Sequence, residues 1–286
     1  MPAPRRLGWA PAGSGHRPSP ALPVRHAALL GLLHGPAELL PISSSGHIAL
    51  VPWLARWPSA ELDPALRKSL EVALHAGTAA ALLLALRGEV ADAVRGLDRR
   101  RAALVALSTL PPAVLALAFE GPIERRLGTP GTVATGLVLG SAAMVAADGA
   151  PQERRREDTG AADALALGFG QAAALMPGVS RNGATLVAAR MRRFCREDAN
   201  ALSRHAALPI ITAASVLKGW RLARTGLPRE LWAPFAAGVG ASFISTLTST
   251  WLIRQVERDR SLMPYAVYRV ALAGLVVRRL RQDGVR

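Results

Sequence analysis

The chain is 286 residues long and half apolar, with 35 Lys plus Arg against 20 Asp plus Glu and a formal net charge of +15. Aromatic residues make up only 5%, too few to interleave stacking rings with the charges as a basic nucleic-acid binder does, and a single cysteine, Cys195, excludes an internal disulfide framework. Only Lys68 and Lys218 are lysines, and almost every arginine falls in a short gap between stretches rich in Ala, Leu and Val, the pattern of loops between membrane spans.

Residues 1–25 are rich in Pro, Gly and Arg and have no apolar segment of signal-peptide length, so they read as a disordered basic tail. A bilayer span needs about 20 mostly apolar residues. Six segments qualify in chain order, at about 71–90, 102–119, 131–149, 200–218, 231–253 and 264–280. Residues 26–57 and 161–192 are also apolar but are interrupted, the first by Pro41-Ile42-Ser43-Ser44-Ser45-Gly46 and the second by Pro177-Gly178-Val179-Ser180-Arg181-Asn182-Gly183. Irregular backbone at membrane depth is tolerated only where protein buries it or it lines a wet cavity, so the half-helices on either side are site candidates.

The two interruptions look alike, each with a proline, a serine three residues later and a glycine beyond it. One broken segment followed by three spans therefore occurs twice, as 26–149 and 161–280, within one membrane domain at 26–280 that ends in a short basic tail at 281–286. An odd number of full spans per unit turns the second unit upside down. The predicted fold is an all-α polytopic membrane protein with about six full spans and two re-entrant helix pairs, arranged as an inverted-topology repeat whose half-helix tips meet near the midplane. Loops at 87–103, 150–160, 190–199 and 254–261 hold 15 basic residues, and those at 56–70, 120–131 and 218–230 hold nine. The positive-inside rule puts the first set in the cytoplasm and the N-terminus outside. It leaves Arg278, Arg279, Arg281 and Arg286 on the unfavoured side.

Arg181, Arg204 and Arg269 are the basic residues left within apolar segments, where an ionised side chain costs at least about 2.5 kcal/mol and needs a partner. Arg181 lies in the glycine-rich break, where its planar fork suits bidentate phosphate binding; the alternative is a structural arginine that ties up loop carbonyls. On the first half-helix His34 and Glu38 are spaced i, i+4 and share a face, while Gly31 and Gly35 form a stripe for close helix packing. Glu38 can orient His34 or His47, or hold a cation. Ser43, Ser44 and Ser45 stand where the returning half-helix begins, and free N–H groups there favour an anion. Ser43 and Ser45 fit capping, whereas Ser44 fits a nucleophile or phosphate ligand. His47 is the neutral-pH acid or base of that break. His75 and His205, early in the spans after each break, read as packing residues. No zinc-site, Walker A or dinucleotide spacing is present.

Gly35-Pro36-Ala37-Glu38-Leu39-Leu40-Pro41-Ile42-Ser43-Ser44-Ser45-Gly46-His47 resembles the first signature of the bacterial undecaprenyl-diphosphate phosphatase (bacitracin-resistance) family, and Pro177 to Thr185 resembles the second. Weaker similarity covers Glu71 to Gly77, Pro209 and Pro264 to Arg269. The resemblance implies metal-assisted hydrolysis of a polyprenyl diphosphate lipid in the bacterial cytoplasmic (inner) membrane, with the site facing the extracytoplasmic side. It carries Glu38, Ser44, His47, Ser180, Arg181 and Thr185 over as site residues, with Ser43 and Asn182 beside the diphosphate. The expected cofactor is Mg2+ or Ca2+, held by Glu38 with His34 as a second candidate, and the expected partners are the lipid, the membrane and a second copy in a homodimer, with no nucleic acid. Three positions depart from the family pattern: His34 stands where a second glutamate is usual, Asn182 where serine is usual and Ala37 where threonine is usual. Losing one carboxylate of a pair weakens a divalent-cation site. A polyprenyl-phosphate transporter or flippase, or a degenerate lipid-binding paralogue, shares the same architecture.

Overall fold

Proline and serine decide where the first helix stops and the next begins. In a computed structural model, which describes residues 22–284, α1 (Val24–Leu39) ends at Leu40, whose extended backbone is what a following proline imposes. Ser43 then caps α2 (Ser44–Leu54). Asp63 caps α3 (Pro64–Ala85), with Pro64 in the first helical position, where its missing N–H costs nothing. The chain bends by 76° into the short α4 (Arg87–Arg95). Next come α5 (Arg99–Arg126), capped by Asp98, and α6 (Pro130–Asp148), capped by Thr129 with Pro130 behind it. The second half has α7 (Ala161–Ala173), α8 (Arg181–Met191), α9 (Arg196–Thr225), α10 (Arg229–Thr248), α11 (Trp251–Arg258) and α12 (Met263–Gly284). Among the described residues there is no strand, only an isolated bridge between Arg154 and Phe194.

Both expected interruptions are present, as the α1/α2 and α7/α8 pairs. Six helices of 19 to 30 residues, α3, α5, α6, α9, α10 and α12, stand where the six spans were expected. Two spans end early: 71–90 is cut at Leu86 by the bend, and 231–253 is cut after Thr248, where α11 begins. By length and composition three of the described helices, α5, α6 and α10, are apolar and long enough to cross a membrane, four if the bent α3/α4 pair is one span. The expected tail at 1–25 falls largely outside the described residues, but its last part is folded: Leu22 is buried and α1 starts at Val24. At the other end α12 runs to Gly284, into the stretch expected to be a tail.

The connecting loops meet in two groups. At one end Arg100 donates to the Thr159 carbonyl, Glu153 N–H to the Arg193 carbonyl, Arg196 pairs with Asp148, and Asp148 accepts from Ser261. Arg204 pairs there with Glu257 at 2.5 Å and lies 3.7 Å from Glu89, so it sits at the helix edge with partners. At the opposite end Leu22, Leu62 and Leu231 share a core with Trp57 and Leu227, His26 stacks on Trp57, and Arg279 donates to the Leu54 carbonyl.

Helix α1 packs along α10, and α7 along α5. The glycine stripe explains the first contact: a Cβ on Gly35 would stand 2.5 Å from Ser245 Oγ and 2.6 Å from Thr246 N, and one on Gly31 2.9 Å from Ser242 N. Backbone therefore lies against backbone, and hydroxyls line the seam. Ser242 Oγ donates to the Leu74 carbonyl and Ser245 Oγ to the Leu32 carbonyl.

Candidate active site

The two breaks are built alike. Ser43 (φ 78°) accepts from Gly46 N–H at 3.2 Å, and Ser180 (φ 72°) accepts from Gly183 N–H at 3.2 Å. The same offset carries Arg56 (φ 55°) onto Arg193 (φ 69°) at the far end of each short helix. A side chain held at positive φ costs about 1–3 kcal/mol and persists only where its surroundings over-determine it. This register corrects the sequence pairing of Ser44 with Ser180: one residue separates Pro41 from its capping serine, whereas two separate Pro177 from its own, so Ser43 matches Ser180. Ser44 then matches Arg181, each the first residue of its helix.

Arg269 joins the two turns. Fully buried on α12, it donates to the Pro41 carbonyl of the first break at 3.1 Å and to the Gly178 and Val179 carbonyls of the second at 2.9 Å each. It takes the carbonyl-tying role that was the alternative for Arg181. The tips are in contact, since a Cβ on Gly46 would lie 3.6 Å from Gly178 Cα.

Arg181 instead pairs with Glu38, from the last turn of α1. Its guanidinium donates to Glu38 Oε1, while Ser44 Oγ donates to Oε2 at 2.5 Å. The carboxylate is thus shared between the first residues of α2 and α8, both at helix N-termini where free N–H groups favour negative charge. A buried pair of this kind needs every remaining lone pair satisfied, and His75 supplies the next partner, with Nε2 3.4 Å from Oε2.

His47 lies one turn beyond Ser44 but does not bond to it. Its Nδ1 lies 2.7 Å from the Ser43 carbonyl, which only accepts, so Nδ1 carries the proton; Nε2 accepts from the Tyr268 hydroxyl at 2.7 Å. Asn182 staples α8 to the end of α1 through the Leu39 carbonyl at 2.9 Å and accepts from Ser203 at 3.1 Å. Thr185, expected beside the diphosphate, is fully buried, bonded to the Arg181 carbonyl and to Ser203 Oγ. It supports the turn that carries Arg181. Ser43 and Ser180 are buried as caps.

A cleft of about 50 Å³ opens beside Glu38, Arg181 and Asn182, with Leu82, Leu86, Leu208, Ile211 and Ile253 as apolar walls. His34, fully buried on α1, faces His75 across 3.3 Å and Thr78 at 2.9 Å. Ligand atoms of His34, Glu38 and His75 lie within 4.8 Å of one another. Mg2+ prefers six oxygen ligands and Ca2+ about six to eight. This trio offers one carboxylate, already engaged on both oxygens, and two imidazoles, so it does not fit the expected hard cation. Sequence reasoning missed His75 and Tyr268 as site residues. The available signal was Glu71 with His75 at i, i+4 in an apolar stretch, although His75 Nδ1–H donates to the Glu71 backbone carbonyl at 2.9 Å and the Glu71 carboxylate pairs with Lys68.

Residues 27–275 match the family model described as Bacitracin resistance protein BacA. The chain belongs to this family. Relatives within reach of full length include the undecaprenyl-diphosphatase of Geobacter sulfurreducens, 36% identical over 89% of this chain and 97% of its own. That of Pelobacter propionicus is 35% identical over 88% and 95%, and undecaprenyl-diphosphatase 1 of Rhodospirillum rubrum 35% over 87% and 92%. The match to the BacA model spans both capped breaks, from α1 into α12, so membership covers every residue of the site.

Proposed function

We propose that the chain hydrolyses undecaprenyl diphosphate to undecaprenyl phosphate and inorganic phosphate, the activity for which its relatives are named. Such a hydrolase recycles the lipid carrier of cell-wall synthesis and gives resistance to bacitracin. One observation carries the reading: Ser44 and Arg181, at the tips of two half-helices, converge on the two oxygens of Glu38. A nucleophile, a base and a phosphate-binding fork stand within one hydrogen-bonded group.

The terminal phosphate lies against the N-termini of α2 and α8, where Arg181 exchanges Glu38 for phosphate oxygens, with the Ser43, Asn182, Ser180 and Thr185 turns holding the two helix ends in place. Ser44 Oγ attacks the terminal phosphorus and gives its proton to Glu38, the bridging P–O bond breaks, and undecaprenyl phosphate leaves. Water then attacks the phosphoserine. His47 Nε2, on release of the Tyr268 hydroxyl, takes the water's proton and Glu38 returns one to Ser44 Oγ; the proton held by His47 leaves with inorganic phosphate. Arg181 offsets the charge that develops in both steps.

In the same reading the six long helices span the inner membrane of a bacterium, the two short pairs are re-entrant, and the halves form an inverted repeat. The arginine-rich end is cytoplasmic. The diphosphate approaches from the opposite, extracytoplasmic end along the α3 row of Lys68, Glu71 and His75, and the prenyl tail takes the apolar cleft. The working form is a homodimer, which light scattering in detergent tests.

Phosphate release from undecaprenyl diphosphate by the purified protein, beside His47→Ala and Arg181→Ala, tests the function. Release from the parent and loss of it in both variants is expected; lipid binding without any release would overturn the reading. Cysteines introduced at residues 97 and 227, after Cys195 is replaced, are expected to label from opposite sides of the membrane.

A further inference from the structure

The two spans that end early continue into short helices that meet on one arginine. Helix α4 follows the 76° bend after α3, and α11 follows α10. Each sends a carboxylate to Arg204 of α9. Arg204 Nη1 donates to Glu257 Oε1 of α11 at 2.5 Å, and Nη2 lies 3.7 Å from Glu89 Oε2 of α4. The same arginine is part of the wall of the cleft that holds Glu38 and Arg181. Leu86 at the bend and Ile253 on α11 line the cleft beside it, so its arginine-rich end is shut by residues from those two early turns of the chain. Deeper in, Leu82, Ala207, Leu208 and Ile211 offer no polar side chain to hold it closed. The barrier is thin. Ser203, next to Arg204, donates to Asn182, which follows Arg181, and only residues 196–202 of α9, about 10 Å of helix, separate Ser203 from the loop before it.

We infer that Arg204, tied to Glu257 and Glu89, seals the arginine-rich end of the cleft and so decides from which face of the membrane the site is reached. It is a specificity residue for the hydrolysis: diphosphates dissolved on that face, which carry the same group as the lipid, are refused by position. An arginine in an apolar wall is costly unless paired, and removing one member of a pair leaves the other charge uncompensated, so the closed arrangement is favoured while the partners are present. Arg204 makes this contact across three helices, α4, α9 and α11, which explains why α3 and α10 stop short of where an apolar span would run. The seal takes its meaning from the proposed hydrolase, yet access is read without turnover, so the two fail separately.

The full chain with Cys195→Ser and Leu208→Cys is placed in sealed membrane vesicles and treated with a membrane-impermeant thiol reagent. Leu208 stands one turn beyond Arg204 on the same face of α9 and lines the cleft. The reagent is added to the face at which a cysteine at Leu97, exposed in the loop between α4 and α5, is labelled, so the result does not depend on which way the chain is inserted. The reporter is expected to be protected. Arg204→Ala and Glu257→Gln each raise its labelling by about 10-fold or more. Arg204→Lys raises it less, and the exchange Arg204→Glu with Glu257→Arg restores protection. Melting temperatures of the same preparations separate an opened seal from an unfolded chain. Rapid labelling with Arg204 and both carboxylates intact overturns the seal. So does a folded Arg204→Ala variant as protected as its parent, or an exchange variant that folds and labels as fast as Arg204→Ala.

Discussion

Replacing Arg269 with leucine removes a side chain that donates to carbonyls of both turns. Its guanidinium is fully buried, no carboxylate pairs with it among the described residues, and its work is to satisfy the Pro41, Gly178 and Val179 carbonyls. An orphaned buried acceptor costs about 1–3 kcal/mol, so three cost about 3–9 kcal/mol. Removing a desolvated cation returns part of that, which leaves a net loss of about 3–5 kcal/mol. At about 2–4 °C per kcal/mol the melting temperature in detergent falls by about 6–20 °C. Because Arg269 lies behind the turns, kcat of the fraction folded at low temperature falls and KM rises, as Ser44 and Arg181 lose their register. Lysine at 269 keeps the charge but reaches fewer carbonyls than the fork, and is expected to recover only part of the loss. Thermal unfolding and phosphate release on the same preparation check both effects. A leucine variant that melts within about 1 °C of the parent and turns over normally would refute the clamp.

Three further expectations can be checked together. Ser44→Ala removes the hydroxyl on Glu38 Oε2 and is expected to lower kcat by about 100-fold or more with the melting temperature nearly unchanged, measured as phosphate release. Gly35→Ala drives a Cβ into Ser245 Oγ and Thr246 N, and is expected to destabilise α1 against α10 by about 1–3 kcal/mol in chemical denaturation. Burial, with the Asp198 carboxylate accepting from the thiol, pushes Cys195 above the usual thiol range. Alkylation needs the thiolate, so at pH 8 it runs slower than on an ordinary cysteine, accelerates as pH rises, and speeds up in Asp198→Asn; equal rates for parent and variant at pH 8 would count against this pairing.

How much of this was legible in the sequence depends on distance along the chain. The breaks at Pro41 and Pro177, the Ser43 cap and the Gly31/Gly35 stripe are local patterns, and each is where it was expected; of the other serines, Ser45, expected to cap, lies inside α2, and Ser180, expected beside the diphosphate, is a cap. Other features are set by side chains that meet across the fold. His75 joins Glu38 from α3, Tyr268 joins His47 from α12, and Arg269 takes the carbonyls for which Arg181 was the candidate. Spacing cannot reveal a cluster split between α1 and α3, so His75 was not placed beside His34 and Glu38. Span ends were missed where the local signal is weak: the bend at Leu86 has no proline, and Gly88 two residues on stands inside an apolar stretch.

A near-symmetric backbone carrying unlike side chains explains why the site is single. Ser43 and Ser180 take the same strained conformation and make the same capping bond to a glycine three residues on, so the two turns present equivalent helix tips. The next residue differs: serine on α2 and arginine on α8. Two identical serines would offer two nucleophiles and no fixed positive charge, and two arginines would repel one another around a single carboxylate. With one of each, Glu38 accepts a proton-bearing hydroxyl on one oxygen and a guanidinium on the other. Exchanging the pair, as Ser44→Arg with Arg181→Ser, tests whether the framework or the assignment matters. Glu38 comes from α1 alone and His75 from α3 alone, so the exchanged hydroxyl faces Oε1 without the His75 and His47 neighbours. The double variant is expected to fold, to bind the lipid, and to release phosphate at less than about 1% of the parent rate; parental turnover would show that the two tips are interchangeable and that Glu38 alone sets the chemistry.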